Sequence, residues 1–61
     1  MFLEYYNKKV EIIATNGRRF RGFVDELWEA DETEDEKIEL KTDEGKIFEF
    51  TQEDIESIRI I

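Results

Sequence analysis

The side chains that most often carry catalysis are absent from this sequence. Its 61 residues include no histidine and no cysteine. Their absence removes the commonest general base, the commonest transition-metal ligand and the usual thiol nucleophile. A chain this short also has a small core and little room for a substrate cleft of its own. We therefore expect a protein that is not an enzyme and that uses no cofactor.

Carboxylates are the most concentrated of the remaining reactive groups. Between Glu29 and Glu36 the only apolar residue is Ala30, and five of the six residues from Asp31 onward are acidic. Oxygen ligands of this kind suit Ca²⁺ or Mg²⁺, but Glu36 stands where a calcium loop of the EF-hand type needs glycine. Acid/base catalysis by a carboxylate pair would need an apolar pocket to raise one pKa. We predict a mobile, solvated loop and no metal site.

Basic residues are concentrated at one place in the sequence. Arg18, Arg19 and Arg21 follow a turn signal, and Lys8, Lys9, Tyr5, Tyr6 and Phe20 lie nearby. Cations interleaved with aromatic rings can hold single-stranded nucleic acid by phosphate contact and base stacking. The alternative is a hairpin tip whose basic side chains form ion pairs with the excess Asp and Glu residues. The negative net charge of the chain favours this alternative.

Trp28 stands between this basic region and the acidic segment. Tryptophan is enriched at binding hot spots, so Trp28 is a candidate anchor for a partner. Capping the end of a small core is the other common use of such a residue. We predict partner contact at Arg18, Arg19, Arg21 and Trp28.

The charge balance bounds the choice of partner. Seventeen acids against nine bases give a net charge of −8. A field of this sign repels nucleic acid and acidic membrane surfaces. It would suit a decoy that imitates nucleic acid to occupy a basic protein. No apolar run approaches a membrane span, and no basic-then-apolar signal segment follows Met1, so we expect a cytoplasmic protein without membrane contact.

The periodicity of apolar residues predicts strands over most of the chain. Val10, Ile12 and Ala14 share one face of a strand, with Glu11 on the other, before Asn16-Gly17, a hairpin signal that predicts a type I′ turn. Arg18–Trp28 is the returning strand, with Phe20, Gly22 and Val24 on one face, Phe23 and Leu27 on the other, and a bend at Gly22. Further predicted elements are an N-terminal helical turn in Met1–Tyr6, strands Ile38–Thr42, Ile47–Phe50 and Ile58–Ile61, a turn at Asp43–Lys46, and a capped turn at Thr51–Asp54.

These elements predict one all-β domain spanning residues 1–61. Its order of elements, a short N-terminal helix followed by a strongly bent five-stranded barrel, resembles the Sm-like fold. The stretch from Val10 through Asn16-Gly17-Arg18 to Gly22-Phe23-Val24 is similar to the first Sm motif. The whole also resembles small acidic Sm-like (LSm-type) proteins of bacteria. SH3-like barrels with other connections contain the same hairpins and stay an open alternative.

The sequence departs from the Sm pattern at the positions that contact RNA. Sm proteins that bind RNA have an Asp and an Asn after the bent strand and an Arg-Gly pair near the last strand. Counted from Gly22, the Asp position falls on Trp28 and the Asn position on Glu32, and Ile55–Arg59 contains no Arg-Gly. The resemblance therefore implies the fold and not the RNA site.

The last two strands are apolar on both faces. A small barrel buries one face, so the other must be covered by the N-terminal segment or by a second subunit. In Sm-like rings these strands join neighbouring subunits edge to edge. We predict a homo-oligomer edge formed by Ile47, Phe48, Phe50, Ile58 and Ile60.

Three functions follow from these observations. The first is a non-enzymatic interaction module that self-associates and binds an unknown protein partner. The alternatives are an RNA-binding Sm-like protein, which the net charge opposes, and the acidic decoy.

Overall fold

The computed structural model describes residues 2–61, and Met1 lies outside them. The chain begins with a 3-10 turn, Leu3–Tyr5, and continues into four strands. A second 3-10 turn, Gln52–Asp54, precedes the fifth strand. The strands are β1 (Lys9–Ala14), β2 (Arg19–Trp28), β3 (Lys37–Thr42), β4 (Ile47–Thr51) and β5 (Ile55–Ile60). The all-β prediction is confirmed, and β5 begins three residues before the predicted Ile58.

The five strands form one antiparallel sheet in the order β4-β3-β2-β1-β5. The predicted closed barrel is wrong, because β4 and β5 do not pair and each leaves one open edge. The sheet is nevertheless curved. Only the three residues Gln52–Asp54 connect Thr51, at the end of β4, to Ile55, at the start of β5. The Cα atoms of Thr51 and Ile55 are therefore at most about 14 Å apart. A flat sheet of this order would separate those strands by about 19 Å.

The predicted N-terminal helix is only a single 3-10 turn. Phe2 is buried in the core, and the Asn7 N–H donates to the Val24 carbonyl at 2.8 Å. Asn7 itself has a positive φ of 62°, which asparagine tolerates better than most residues. The segment is therefore fixed to the sheet by a buried ring and a backbone hydrogen bond, and it does not continue as a helix.

Both hairpins of the sheet use the same three-residue turn. In the first, the Gly17 N–H donates to the Ala14 carbonyl at 2.9 Å and the Ala14 N–H donates to the Arg18 carbonyl at 2.8 Å. Gly45 and Thr42 repeat this arrangement before β4. Only the glycines have positive φ, 88° and 87°, so the predicted type I′ turn is wrong. The geometry is that of a tight turn followed by a left-handed residue.

An extra residue in β2 changes which side chains face the core. The register between β2 and β3 shifts between Val24 and Glu26, which makes Asp25 a bulge. Before it, Val24 is fully buried and Phe23 is exposed. After it, Leu27 packs against the core. The predicted sharing of a face by Phe23 and Leu27 is therefore wrong, because the bulge reverses the alternation between them.

The core lies on the concave face of the sheet. Its fully buried side chains come from the three central strands: Val10, Ile12, Val24, Ile38 and Leu40. Gly22 lies among them, where an added Cβ would come within 2.2 Å of the Lys41 carbonyl oxygen. Only glycine allows β2 and β3 to approach this closely.

The connection between β4 and β5 follows the predicted capped turn. The Asp54 carboxylate accepts hydrogen bonds from the Thr51 N–H at 2.9 Å and from the Thr51 hydroxyl at 3.1 Å. The Asp54 carbonyl in turn accepts from the Thr15 N–H at 3.1 Å. This turn therefore ties the end of β4 to the end of β1 and directs the chain into β5.

Candidate functional site

The two open edges of the sheet are the first candidate site. The Ile61 N–H donates to the Lys9 carbonyl and the Thr42 N–H to the Lys46 carbonyl. Because antiparallel ladders alternate, these bonds direct the backbone groups of Ile58 and Ile60 away from β1, and those of Ile47 and Glu49 away from β3. Each edge therefore offers outward N–H and C=O groups for another strand.

The predicted edge residues divide between this surface and the core. Ile47 is 58% exposed and Ile60 is 52% exposed, so both present apolar surface at an open edge. Phe50 is buried, and Phe48 and Ile58 pack against the core. The ring centroids of Phe48 and Phe50 lie 4.9 Å and 5.1 Å from that of Phe20. Of these five residues, only Ile47 and Ile60 are exposed.

Three arginines converge on one buried carboxylate on the convex face of the sheet. Glu11 stands opposite Arg21 on one side and Arg59 on the other. Its Oε2 accepts from Arg21 Nε at 3.1 Å, and its Oε1 accepts from Arg59 Nε at 3.0 Å and lies 2.9 Å from Arg59 Nη2. Arg19 Nη1 lies 3.8 Å from Oε2. We call these four residues the arginine cluster.

The charges in the arginine cluster do not cancel. The Glu11 side chain is 6% exposed, whereas those of Arg59, Arg21 and Arg19 are 66%, 59% and 68% exposed. The hydrogen bonds from Arg59 and Arg21 hold the pKa of Glu11 below its usual range. One ionised carboxylate thus faces three guanidinium groups, and most of their N–H donors point to solvent.

Arg18 does not belong to this cluster. Its Cζ lies 5.0 Å from the centroid of the Phe20 ring, at the concave side of the sheet. Its backbone N–H donates to Asn16 Oδ1 at 2.9 Å. A cleft of about 260 Å³ passes this end of the sheet; its lining includes Arg18, Phe20, Arg21, Lys46, Asp43 and Glu44. Cations, carboxylates and an aromatic ring are mixed there.

Trp28 lies at the far end of β2 from Arg19. It is 39% exposed, and Lys37 Nζ lies 5.0 Å from the centroid of its ring. The indole is thus half covered by a neighbouring strand and half open to solvent. The four predicted contact residues therefore do not form one patch: Arg19 and Arg21 lie together near the start of β2, Trp28 lies at its far end, and Arg18 contacts Phe20 on the concave side.

The acidic segment between β2 and β3 is held by an internal turn. Asp31 Oδ1 accepts from the Thr33 N–H, the Thr33 hydroxyl and the Glu34 N–H at 2.8, 2.9 and 2.9 Å. The hydrogen bonds from the Thr33 and Glu34 N–H groups, and then from the Thr33 hydroxyl, hold the pKa of Asp31 below its usual range. Within residues 2–61, no three His, Cys, Asp or Glu side chains are grouped to hold a metal ion.

Carboxylates of this segment lie beside the open edge of β4. They line a groove of about 350 Å³, which we call the acidic groove: Glu34, Asp35, Lys37, Glu49, Phe50, Thr51 and Asp54. Its single cation, Lys37, donates from Nζ to Glu49 Oε1 at 3.3 Å. A larger groove of about 540 Å³ on the other side of the segment is lined partly by Glu29, Asp35, Glu36 and Glu53. Negative charge therefore surrounds this end of the sheet.

The convex face is acidic on its β3–β4 side as well. Glu39 stands opposite Glu26 on β2 and Glu49 on β4. Burial, then a hydrogen bond with Asp25 and the charges of Asp25, Glu26 and Glu49, raise the pKa of Glu39. One carboxylate oxygen of Asp25 is buried without a hydrogen-bond partner among the described residues. The convex face thus carries positive charge on its β5–β1 side and negative charge on its β3–β4 side.

Sequence reasoning missed Glu11 and Arg59. Alternation along β1 would have placed Glu11 on the face opposite Val10 and Ile12. Its pairing with Arg59, however, spans 48 positions of sequence and depends on the β1–β5 register, for which no local signal exists.

No family model, curated protein or solved structure matches this chain. Among residues 2–61, no helix has the length and apolar character needed to cross a membrane.

Proposed function

We propose that the chain is a non-catalytic interaction domain that self-associates by strand addition between β4 of one copy and β5 of the next. The observation that carries the proposal is the pair of open edges, each with outward backbone groups and one exposed isoleucine. Backbone hydrogen bonds supply affinity in strand addition, and side chains beside the edge supply specificity. Ile47 and Ile60 are about half exposed, so covering the remainder would add about 1 kcal/mol each.

The ladder alternation predicts a register for this contact. In an antiparallel pair, residues that direct their backbone groups toward each other lie directly opposite. Ile47 and Glu49 are such residues on β4, and Ile58 and Ile60 are such residues on β5. Placing Ile47 opposite Ile60 joins the two exposed isoleucines and avoids a register that would place Glu49 opposite Glu56.

Cysteine cross-linking tests this register directly, because the chain contains no cysteine of its own. A hydrogen-bonded antiparallel pair has its Cα atoms about 5.5 Å apart, within the range of a disulfide. We expect a mixture of Ile47→Cys and Ile60→Cys proteins to form a disulfide-linked heterodimer under mild oxidation. A mixture of Ile47→Cys with Ser57→Cys, whose backbone faces β1, should not.

Light scattering on a size-exclusion column supplies the second readout. We expect a mass above the 7.4 kDa of one chain, and we expect Ile60→Lys to reduce it to the monomer. A parent protein that stays monomeric at every concentration, with no cross-link above the Ser57→Cys control, would disprove self-association.

A second candidate function, binding of single-stranded RNA, has one favourable observation. The cleft beside the hairpins brings Arg18, Phe20, Arg21 and Lys46 to one place, and cations beside an aromatic ring can hold a phosphate and a base together. Asp43 and Glu44 in the same cleft oppose it.

Fluorescence anisotropy with a short single-stranded RNA tests this candidate. Binding should weaken steeply as salt is raised, and Arg18→Gln with Lys46→Gln should lower the salt slope by about one per lost phosphate contact. Lys37→Gln, at the other end of the sheet, is the control. Absence of binding at low salt would exclude this function.

A further inference from the structure

The arginine cluster holds three cations close together around one carboxylate. Arg21 Nε lies 3.1 Å and Arg19 Nη1 lies 3.8 Å from the same Glu11 oxygen, Oε2. Arg59 Nη2 lies 2.9 Å from the other oxygen. Arg19 and Arg21 are two positions apart on β2, so their side chains leave the same face of the strand. The three guanidinium groups are therefore close neighbours on the convex face.

Glu11 compensates only part of the charge of this cluster. Within residues 2–61 it is the one carboxylate in ion-pair contact with the three arginines. Arginine stays protonated in proteins, so three positive charges and one negative charge leave two positive charges without a counter-ion. Repulsion between like charges held this close is unfavourable. A bound dianion would remove it, whereas a bound carboxylate would cancel only one of the two charges.

Most N–H donors of the cluster are available to an external ligand. In the part of the chain that the structure describes, the Arg19 side chain donates no hydrogen bond, and that of Arg21 donates only from Nε. Arg59 directs Nε and Nη2 at a single oxygen of Glu11. All three side chains are more than half exposed. Guanidinium groups match the oxygens of phosphate in charge and in geometry.

Glu11 orients two of the three guanidinium groups before any ligand arrives. It stands between Arg21 on β2 and Arg59 on β5 in the register of the sheet, and its side chain is only 6% exposed. Its two oxygens accept from Arg21 Nε at 3.1 Å and from Arg59 Nε at 3.0 Å. Side chains fixed in this way lose less conformational entropy on binding than free surface arginines do.

We propose that the arginine cluster is a binding site for a phosphate group with two negative charges, in inorganic phosphate or in a phosphomonoester. A phosphomonoester carries a charge of about −1.5 to −2 at pH 7, which matches the two uncompensated charges. Its oxygens can accept from more than one guanidinium group at about 2.7–2.9 Å. The site uses side chains of the convex face and does not depend on self-association through the edges.

The charge on the rest of the convex face favours a small ligand over a nucleic-acid strand. Glu26, Glu39 and Glu49 stand opposite one another on β2, β3 and β4. A polyanion that crossed the face from the cluster toward β4 would meet these carboxylates and be repelled. Each phosphate of a nucleic-acid backbone also carries a single charge, half of what the cluster leaves uncompensated.

NMR titration of the isotope-labelled chain with inorganic phosphate tests the proposal. At constant ionic strength, set with sodium chloride, we expect saturable shifts of the Nε–H signals of Arg19, Arg21 and Arg59. Arg19→Gln removes one guanidinium group and no hydrogen bond to Glu11, and it should raise the Kd for phosphate about five- to tenfold. Lys37→Gln changes the net charge equally at the far end of the sheet, and it should bind phosphate as the parent does.

Two further probes distinguish the sources of the phosphate group. Phenyl phosphate is a monoester, and its binding at least as tightly as inorganic phosphate would identify a phosphomonoester as the ligand. Tighter binding of inorganic phosphate would identify the free ion. Dimethyl phosphate has the single charge of a nucleic-acid backbone phosphate and should bind at least about fivefold more weakly than either. Equal binding of dimethyl phosphate would overturn the charge match.

Three other results would overturn the proposal. Shifts that grow linearly with phosphate and never saturate would show a non-specific ionic effect only. An unchanged Kd in Arg19→Gln would exclude the cluster. Arg19 and Arg21 also line the cleft beside the hairpins, so a loss of affinity in Arg18→Gln as large as in Arg19→Gln would place the anion in that cleft. Light scattering of the same samples measures self-association separately, so either proposal can fail without the other.

Discussion

Glu11 is the residue whose environment differs most from what its type suggests. An acidic side chain on a strand normally faces solvent, yet this one is buried under two arginines that hydrogen-bond both of its oxygens. Breaking such an arrangement leaves a buried polar group or unpaired charges, which costs more than the intact contact contributes. The residue also ties the edge strand β5 to β1 and β2.

The lowered pKa of Glu11 predicts a pH dependence of stability. Because the pKa is lower in the folded protein than in the unfolded chain, Glu11 stabilises the fold fully above its unfolded pKa of about 4.3. That stabilisation is lost as the pH falls through the folded-state pKa. We expect Glu11→Gln to melt below the parent at pH 7, and the difference to shrink toward pH 3.

Thermal melting monitored by circular dichroism from pH 3 to pH 8 measures this difference. Glu4→Gln, at an exposed position, corrects for the general effect of removing one negative charge. A gap between parent and Glu11→Gln that is the same at pH 3 and pH 7 would show that the Glu11 charge does not stabilise the fold.

At the scale of elements, Gly22 controls how closely two strands pack. The Lys41 carbonyl oxygen occupies the space that a Cβ would need, and backbone atoms cannot move aside as a flexible side chain can. We expect Gly22→Ala to cost stability at the upper end of about 1–3 kcal/mol, the range for overpacking. Urea unfolding of the two proteins measures it.

Gly17→Ala is the matched control for this substitution. Its positive φ would strain an alanine, but the space around it is open, so the cost of the substitution should be near 1 kcal/mol. A Gly22→Ala protein no less stable than Gly17→Ala would show that β2 and β3 can separate without loss.

Local sequence patterns predict the strands and the hairpin turns. The features that they do not predict depend on strand pairing and on tertiary contacts. Alternation at Val10, Ile12 and Ala14 and the glycines at 17 and 45 were sufficient for the strands and hairpin positions. The Asp25 bulge could not be predicted, because it exists only in the ladder with β3. The N-terminal segment forms one 3-10 turn and not the predicted helix, and the burial of Phe2 that holds it is a tertiary contact with no local signal.

The same division applies to the candidate site. Sequence proximity groups Arg18, Arg19 and Arg21, although alternation along a strand separates Arg18 from the other two. Ile47 and Ile60 were predicted at the edges, and the register with β1 and β3 was needed to show that they, and not Phe48 or Phe50, are exposed. Arg59 joins the cluster through a contact with no local signal.

At the scale of the whole molecule, the open sheet replaces the expected barrel. A three-residue connection brings the end of β4 near the start of β5, at Thr51 and Ile55. The two strands nevertheless do not pair with each other. Closure would have consumed both edges within one chain. Left open, the domain has two edge strands, β4 and β5, with outward backbone groups.

The separation of charge between the edges limits what the net charge of −8 can say. At physiological ionic strength the Debye length is about 8 Å, much shorter than the 33 Å longest extent of the molecule. A neighbouring surface therefore responds to the end that faces it and hardly to the total. On an anion-exchange resin we expect the acidic end to adsorb and the arginine end to stay in solution. The two ends make the molecule an electric dipole, and we expect a charged surface to orient it.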